Sequence, residues 1–319
     1  MDFDYHLFVL SLCANVGYVT MTAAKKYLAE NDVDFPNERA YVEVVANLKR
    51  QNSRLRNISV KDVQQALDAS DQILDRSEAA GITILDHHHP YFPPLLRHVD
   101  GAPFFLYAKG ELSCLNELGV GVIGSRSPSD FGKRIGEQLI GRYLIEEFDY
   151  TIISGLALGC DAIAHRLALE HQRPTIAVLP SDVQNIYPNE HAGLAMKIAK
   201  EGGCLLSMYP VGSKVQKSNF RERDRLMAAI SAGMVVIESE LASGTMHTAT
   251  YADEFLKPKA AIYAHSHPNY ASKGYAQSPT FQGNVELVEN RGWLPLRNGE
   301  DIVRFDRQIK RRCAQLSRI

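Results

Sequence analysis

Six short runs of apolar and β-branched residues govern what this chain can fold into: Val120 to Ile123, Thr151 to Ile153, Thr175 to Leu179, Cys204 to Leu206, Met234 to Ile237 and Ala260 to Tyr263. None alternates as a strand with one wet face does, and roughly 20 to 35 residues, including a helical pattern, separate each run from the next. A strand apolar on both faces must be covered on both, and a crossover of that length carries a helix. The runs therefore predict an α/β fold built on a doubly wound, mostly parallel, extended Rossmann-like sheet.

The flanks read differently. Leu7, Phe8, Leu10, Leu12 and Val16 open an apolar helical segment ending at Gly17. Ser59 with Asp62 makes a capping box for a helix through Val63, Ala66 and Leu67 that stops at Gly81. Residues 1–80 are thus expected to be a small helical N-terminal domain. Ile82 to Glu111, punctuated by Pro90, Pro93, Pro94 and Pro103, reads as an extended connector packed on its neighbour. It leads into a core assigned to 81–298. Beyond it, Ile302, Phe305, Ile309, Cys313 and Leu316 recur at helical spacing and predict a C-terminal helix in 299–319, docked by one face.

Composition narrows the function classes. With 35 Lys plus Arg against 37 Asp plus Glu, the net charge is −2, so any phosphate binding must be local. The five cysteines are scattered without metal-site spacing, as in a reducing compartment. The start of the chain lacks a basic, apolar leader, and no window approaches a membrane span. A cytoplasmic protein with no membrane partner is expected. Asp86-His87-His88-His89 has no partner spacing for a metal, and none is expected.

In an open parallel sheet, ligands sit outside the carboxyl ends of the strands, so the loops after the runs carry the functional signal. The first offers Gly124, Ser125 and Arg126 ahead of a helix: small residues let backbone N–H groups approach an anion, and the guanidinium adds a bidentate contact. The second begins with Ser154 and Gly155 and continues to Asp161 and His165, four residues apart. That pair serves either acid–base chemistry or, as an Asp cap with a hydrogen-bonding His, the structure of the loop. The fifth presents Ser243, Gly244 and Thr245 at another helix start. Between the fourth and fifth runs, Lys214, Lys217, Asn219, Phe220, Arg221, Arg223 and Arg225 set phosphate-binding cations beside a ring that can stack on a base.

Together these blocks resemble the DprA/Smf family, from about Leu10 to about Leu296. The resemblance is carried by Tyr91-Phe92-Pro93-Pro94-Leu95-Leu96, Ala102 to Gly110, Gly-Ser-Arg at 124–126 and Ser-Gly-Leu-Ala-x-Gly-x-Asp-x-x-Ala-His at 154–165. It continues through Thr-Ile-Ala-Val-Leu at 175–179, Tyr187-Pro188, Asn219-Phe220 with Arg223 and Arg225, and Ser243-Gly244-Thr245 with Thr248-Ala249. It implies a Rossmann-like domain that binds single-stranded DNA without cofactor or catalytic chemistry, forms a homodimer and loads a RecA-type recombinase in natural transformation. The family's Arg-Asn-Arg is Arg223-Asp224-Arg225 here, Ala264-His265-Ser266-His267-Pro268 replaces its proline-glycine, and no winged helix is expected after the core. The alternative class is a nucleotide-binding or nucleoside-phosphate-hydrolysing protein, such as a defence component, in which Ser243 to Thr245 holds phosphate and Glu238, Glu254 or Asp161 is the acid or base.

Overall fold

The computed structural model describes residues 3–263, 274 and 277–316. All six runs are strands of one nine-stranded sheet, here numbered in chain order with three additions: β1 (Thr83–Asp86), β2 (Phe105–Gly110), β3 (Gly119–Ile123), β4 (Thr151–Ser154), β5 (Thr175–Val178), β6 (Cys204–Ser207), β7 (Gly233–Val236), β8 (Lys259–Ile262) and β9 (Leu294–Leu296). Their spatial order is β1-β2-β6-β5-β4-β3-β7-β8-β9. From β6 to β9 every pairing is parallel, and β1 and β2 add an antiparallel edge. The stretch read as a connector is therefore part of the sheet, with its prolines in the turns around two strands. Pro295 in β9 sits at the opposite edge, where a missing N–H costs no ladder bond.

Chain order explains where a ligand can enter. The parallel part of the sheet starts at β3, winds outward through β4, β5 and β6, then returns to the other side of β3 as β7, β8 and β9. Loops leaving β3 and β7 consequently diverge, and a crevice opens between them at the carboxyl edge.

Before the sheet come α1 (Tyr5–Leu12), α2 (Tyr18–Glu30), α3 (Glu38–Gln51) and α4 (Val60–Ala79), and Ser59 and Asp62 form the expected capping box of α4. The crossovers are α5 (Asp130–Gln138), α6 (Cys160–Glu170), α7 (Ala192–Lys200), α8 (Lys217–Ile230), α9 (Gly244–Glu254) and α10 (Gln282–Glu289), followed by α11 (Gly299–Leu316). Ile302, Phe305 and Ile309 of α11 are buried against α5 and the strand core, whereas Cys313 and Leu316 are only half-buried. On the other face, Leu226, Met227 and Ile230 of α8 pack on Ile153, Val178 and Val236 of the strands. The sequence 264–268 lies outside the described residues.

Candidate anion-binding crevice

At the switch point a crevice of about 580 Å³ is lined by the loops after β3 and β7, the start of α6 and the first turns of α8 and α9. The helix starts around it differ in a way that matters. At α5, Ser129 caps the Gly132 N–H, and the buried Glu238 carboxylate accepts from the Ser129 backbone N–H (3.0 Å) and hydroxyl (2.9 Å). A side chain at Gly132 would collide with that carboxylate. The expectation that the first loop offers a helix N-terminus to an external anion is thus corrected: the protein supplies its own anion there. The starts of α8 and α9, at Gln216 and Ser243, have no side-chain cap. Their first N–H groups, with the positive end of each helix dipole, are left for a ligand.

The sequence-selected residues divide into two groups. Arg126, Lys217 and Arg221 are exposed, line the crevice and make no ion pair among the described residues. Gly124, Ser125, Phe220, Ser243, Gly244 and Thr245 line it with them. Phe220 meets Tyr187 edge to face at 5.3 Å, and the two rings, with Leu158, border an adjoining hollow that also reaches Arg126. Lys214 is exposed on the loop leading to α8.

The rest hold the structure together. Ser154 is buried and donates to the Val122 carbonyl; Asn219 donates to Pro180. Arg225 donates to the Asp100 and Gly101 carbonyls and lies over the Phe255 ring. Arg223 is buried, bonded through Nε to Asp224 (2.9 Å) and through Nη1 to the Gly155 and Val178 carbonyls. It occupies the space a Gly155 side chain would need. Arg223 lines the crevice but commits Nε and Nη1 to a carboxylate and two carbonyls, and Arg225 commits both Nη atoms to carbonyls, so these donors hold the structure together before any phosphate arrives.

Asp161 and His165 do not pair. Asp161 receives the Gly155 and Ala157 N–H groups, as a loop staple does. His165 Nδ1 bonds the Thr175 hydroxyl (2.7 Å), which itself donates to the Ile152 carbonyl. Burial, with His191 and Arg223 nearby, lowers His165 to about 3, so the ring is neutral. Burial raises both Asp161 and Asp224 against the opposing pull of Arg223. Sequence reasoning missed His247 on the crevice wall and Tyr187 as the partner of Phe220. Neither has a local signal, since Tyr187 is brought to Phe220 by the loop between β5 and α7.

Fold and site define an open Rossmann-like α/β protein whose switch-point crevice is walled by cations and uncapped helix starts. The family model for DNA recombination-mediator protein A matches residues 83–305, and the chain belongs to that family. Protein Smf of Synechocystis sp. is 38% identical over 188 residues, 58% of this chain and 46% of that protein. Protein Smf of Escherichia coli is 37% identical over 51% of this chain and 43% of its own. This chain thus spans less than half the length of both. DNA processing protein DprA of Bacillus subtilis is 28% identical over 76% of this chain and 77% of its own. Among solved structures, DNA processing protein A of Streptococcus pneumoniae superposes over 95% of this chain and 98% of its own with a TM-score of 0.72 at 24% identity. That of Helicobacter pylori superposes over 72% of this chain and 96% of its own, with a TM-score of 0.59 at 26% identity.

Proposed function

We propose that the crevice binds single-stranded DNA, with Arg126, Lys217 and Arg221 neutralising phosphates, the N–H groups at the starts of α8 and α9 completing the anion contacts, and Phe220 stacking on a base. The observation that carries this reading is the union, on one edge, of three cations and two helix starts that have no ion pair and no side-chain cap among the described residues, with a half-exposed aromatic pair. A phosphate alone needs no ring, and an apolar ligand needs no cations; a flexible strand with accessible bases uses both. Single-stranded DNA binding by the Helicobacter pylori relative supports the assignment. The wider role proposed with it is that of a cytoplasmic homodimer that passes the strand to a RecA-type recombinase; membership of a DNA recombination-mediator family supports the recombination part of that reading.

The test is fluorescence anisotropy with a labelled oligothymidylate, competed by unlabelled duplex and by mononucleotides. Saturable binding that duplex displaces poorly is expected. Displacement by a mononucleotide as readily as by the strand would overturn the proposal in favour of a nucleotide site.

A further inference from the structure

The floor of the crevice sets two carboxyl side chains against one guanidinium. Asp161, Arg223 and Asp224 are all buried. Asp224 accepts from Arg223 Nε at 2.9 Å and lines the crevice beside Thr248 of α9. Asp161, on α6, faces the same guanidinium while stapling its own loop. The guanidinium thus pairs directly with Asp224 alone among the described residues, while Asp161 approaches it beside Gly155 without an ion pair, beneath an opening lined with cations. An uncompensated carboxylate under a low-dielectric floor is unfavourable in itself, and it repels any phosphate that enters above it.

We propose that Asp224 is a positioning residue through which the Asp161–Arg223–Asp224 cluster takes up one proton as a phosphate backbone binds, so that the strand is held more tightly in mildly acidic than in neutral solution. The proposal rests on the single-strand reading of the crevice. Burial already favours the protonated carboxyl at both positions, and an arriving phosphate pushes the same way. By reciprocity, protonation must then strengthen phosphate binding.

The other groups facing the cluster are accounted for. Lys217 and Arg221 on α8 and Arg126 on the first loop line the crevice above it. His165 on α6 is held neutral, and His191 bonds the Leu156 carbonyl through Nδ1. Glu240 at the rim is exposed. His247 on α9 lines the crevice and must be removed as a competing source of pH dependence.

The experiment uses His247→Gln protein and a labelled oligothymidylate at fixed ionic strength between about pH 5 and pH 8, where one linked proton changes Kd by at most about tenfold per pH unit. Kd should rise with pH in this protein, and adding Asp224→Asn should flatten the dependence and tighten binding at neutral pH. Asp161→Asn, which removes the other carboxylate, should act in the same direction. Calorimetric titration of the His247→Gln protein in two buffers of different ionisation enthalpy counts protons directly, without relying on either Asp variant to fold. About one proton taken up per strand is expected, and none overturns the inference. A pH slope unchanged in a folded Asp224→Asn or Asp161→Asn protein overturns it too, while leaving strand binding intact. Absence of strand binding at every pH overturns the functional reading itself and the inference with it.

Discussion

Arg126 and Arg223 carry the same side chain within one crevice and do opposite jobs, because one ends in solvent and the other in a shell of carbonyls and a carboxylate. Arg126→Ala removes a charge-assisted phosphate contact and should weaken strand binding by about 1–3 kcal/mol without moving the melting temperature; unchanged affinity would take the strand off the first loop. Arg223→Met, by contrast, leaves Asp161 and Asp224 buried without a cation. It should lower stability by about 3–5 kcal/mol in denaturant titration, the cost of breaking a buried pair from one side. Sequence could not sort the two: both stand in a basic or small polar context, and only the register of α8 turns Arg223 inward and Arg221 outward. A third residue acts through pH. Lys257 is buried with its Nζ on the Ala229 carbonyl (2.8 Å), and burial, with Arg312 nearby, lowers its amine to about 7. Its folded value lies below the unfolded 10.5, so the unfolded chain binds more protons between the two and stability rises with pH across that window. Below about 7 the penalty is full and constant. Lys257→Met should abolish this rise in pH-dependent melting, and an identical slope in the variant would refute the assignment.

The helices and strands show which elements a sequence can announce by itself. β3 to β8 were legible because burial on both faces leaves an unbroken apolar run, and α4 because its cap is chemically explicit at Ser59 and Asp62. β1 and β2 were not: each is short, their prolines lie just outside them, and they owe their strand character to pairing with each other and with β6, which is 94 or more residues further on in the register of β2. The start of α5 was misread for a related reason. Its loop has the small residues of an anion site, but the anion arrives from Glu238, at a sequence separation of 109 from Ser129. Glu238→Ala should therefore unfasten α5, costing about 1–3 kcal/mol for the lost hydrogen bonds and the donors left unsatisfied in calorimetric melting. A melting profile equal to that of the parent protein would show that solvent replaces the carboxylate without loss.

At the scale of the whole molecule, the chain's net charge of −2 offers a nucleic acid no long-range attraction, so any affinity must come from the few cations gathered at one sheet edge. That separates local from global electrostatics in a measurable way. Each phosphate neutralised on a single strand releases counterions and contributes about −0.7 to the slope of log K against log salt. Arg126, Lys217 and Arg221 line the crevice and Lys214 stands on the loop beside it. Three to four contacts then give a slope of about −2 to −3, shallow beside that of a protein wrapped in basic surface. Replacing Arg221 by alanine should reduce the slope by about 0.7, whereas replacing Arg225, whose guanidinium is bonded to the Asp100 and Gly101 carbonyls, should leave it unchanged. Anisotropy titrations over a range of salt concentrations decide the matter: a salt-independent affinity would remove the cations from the interface, and a slope much steeper than −3 would mean that basic surface outside the crevice, such as the outer face of α11, also takes up the strand.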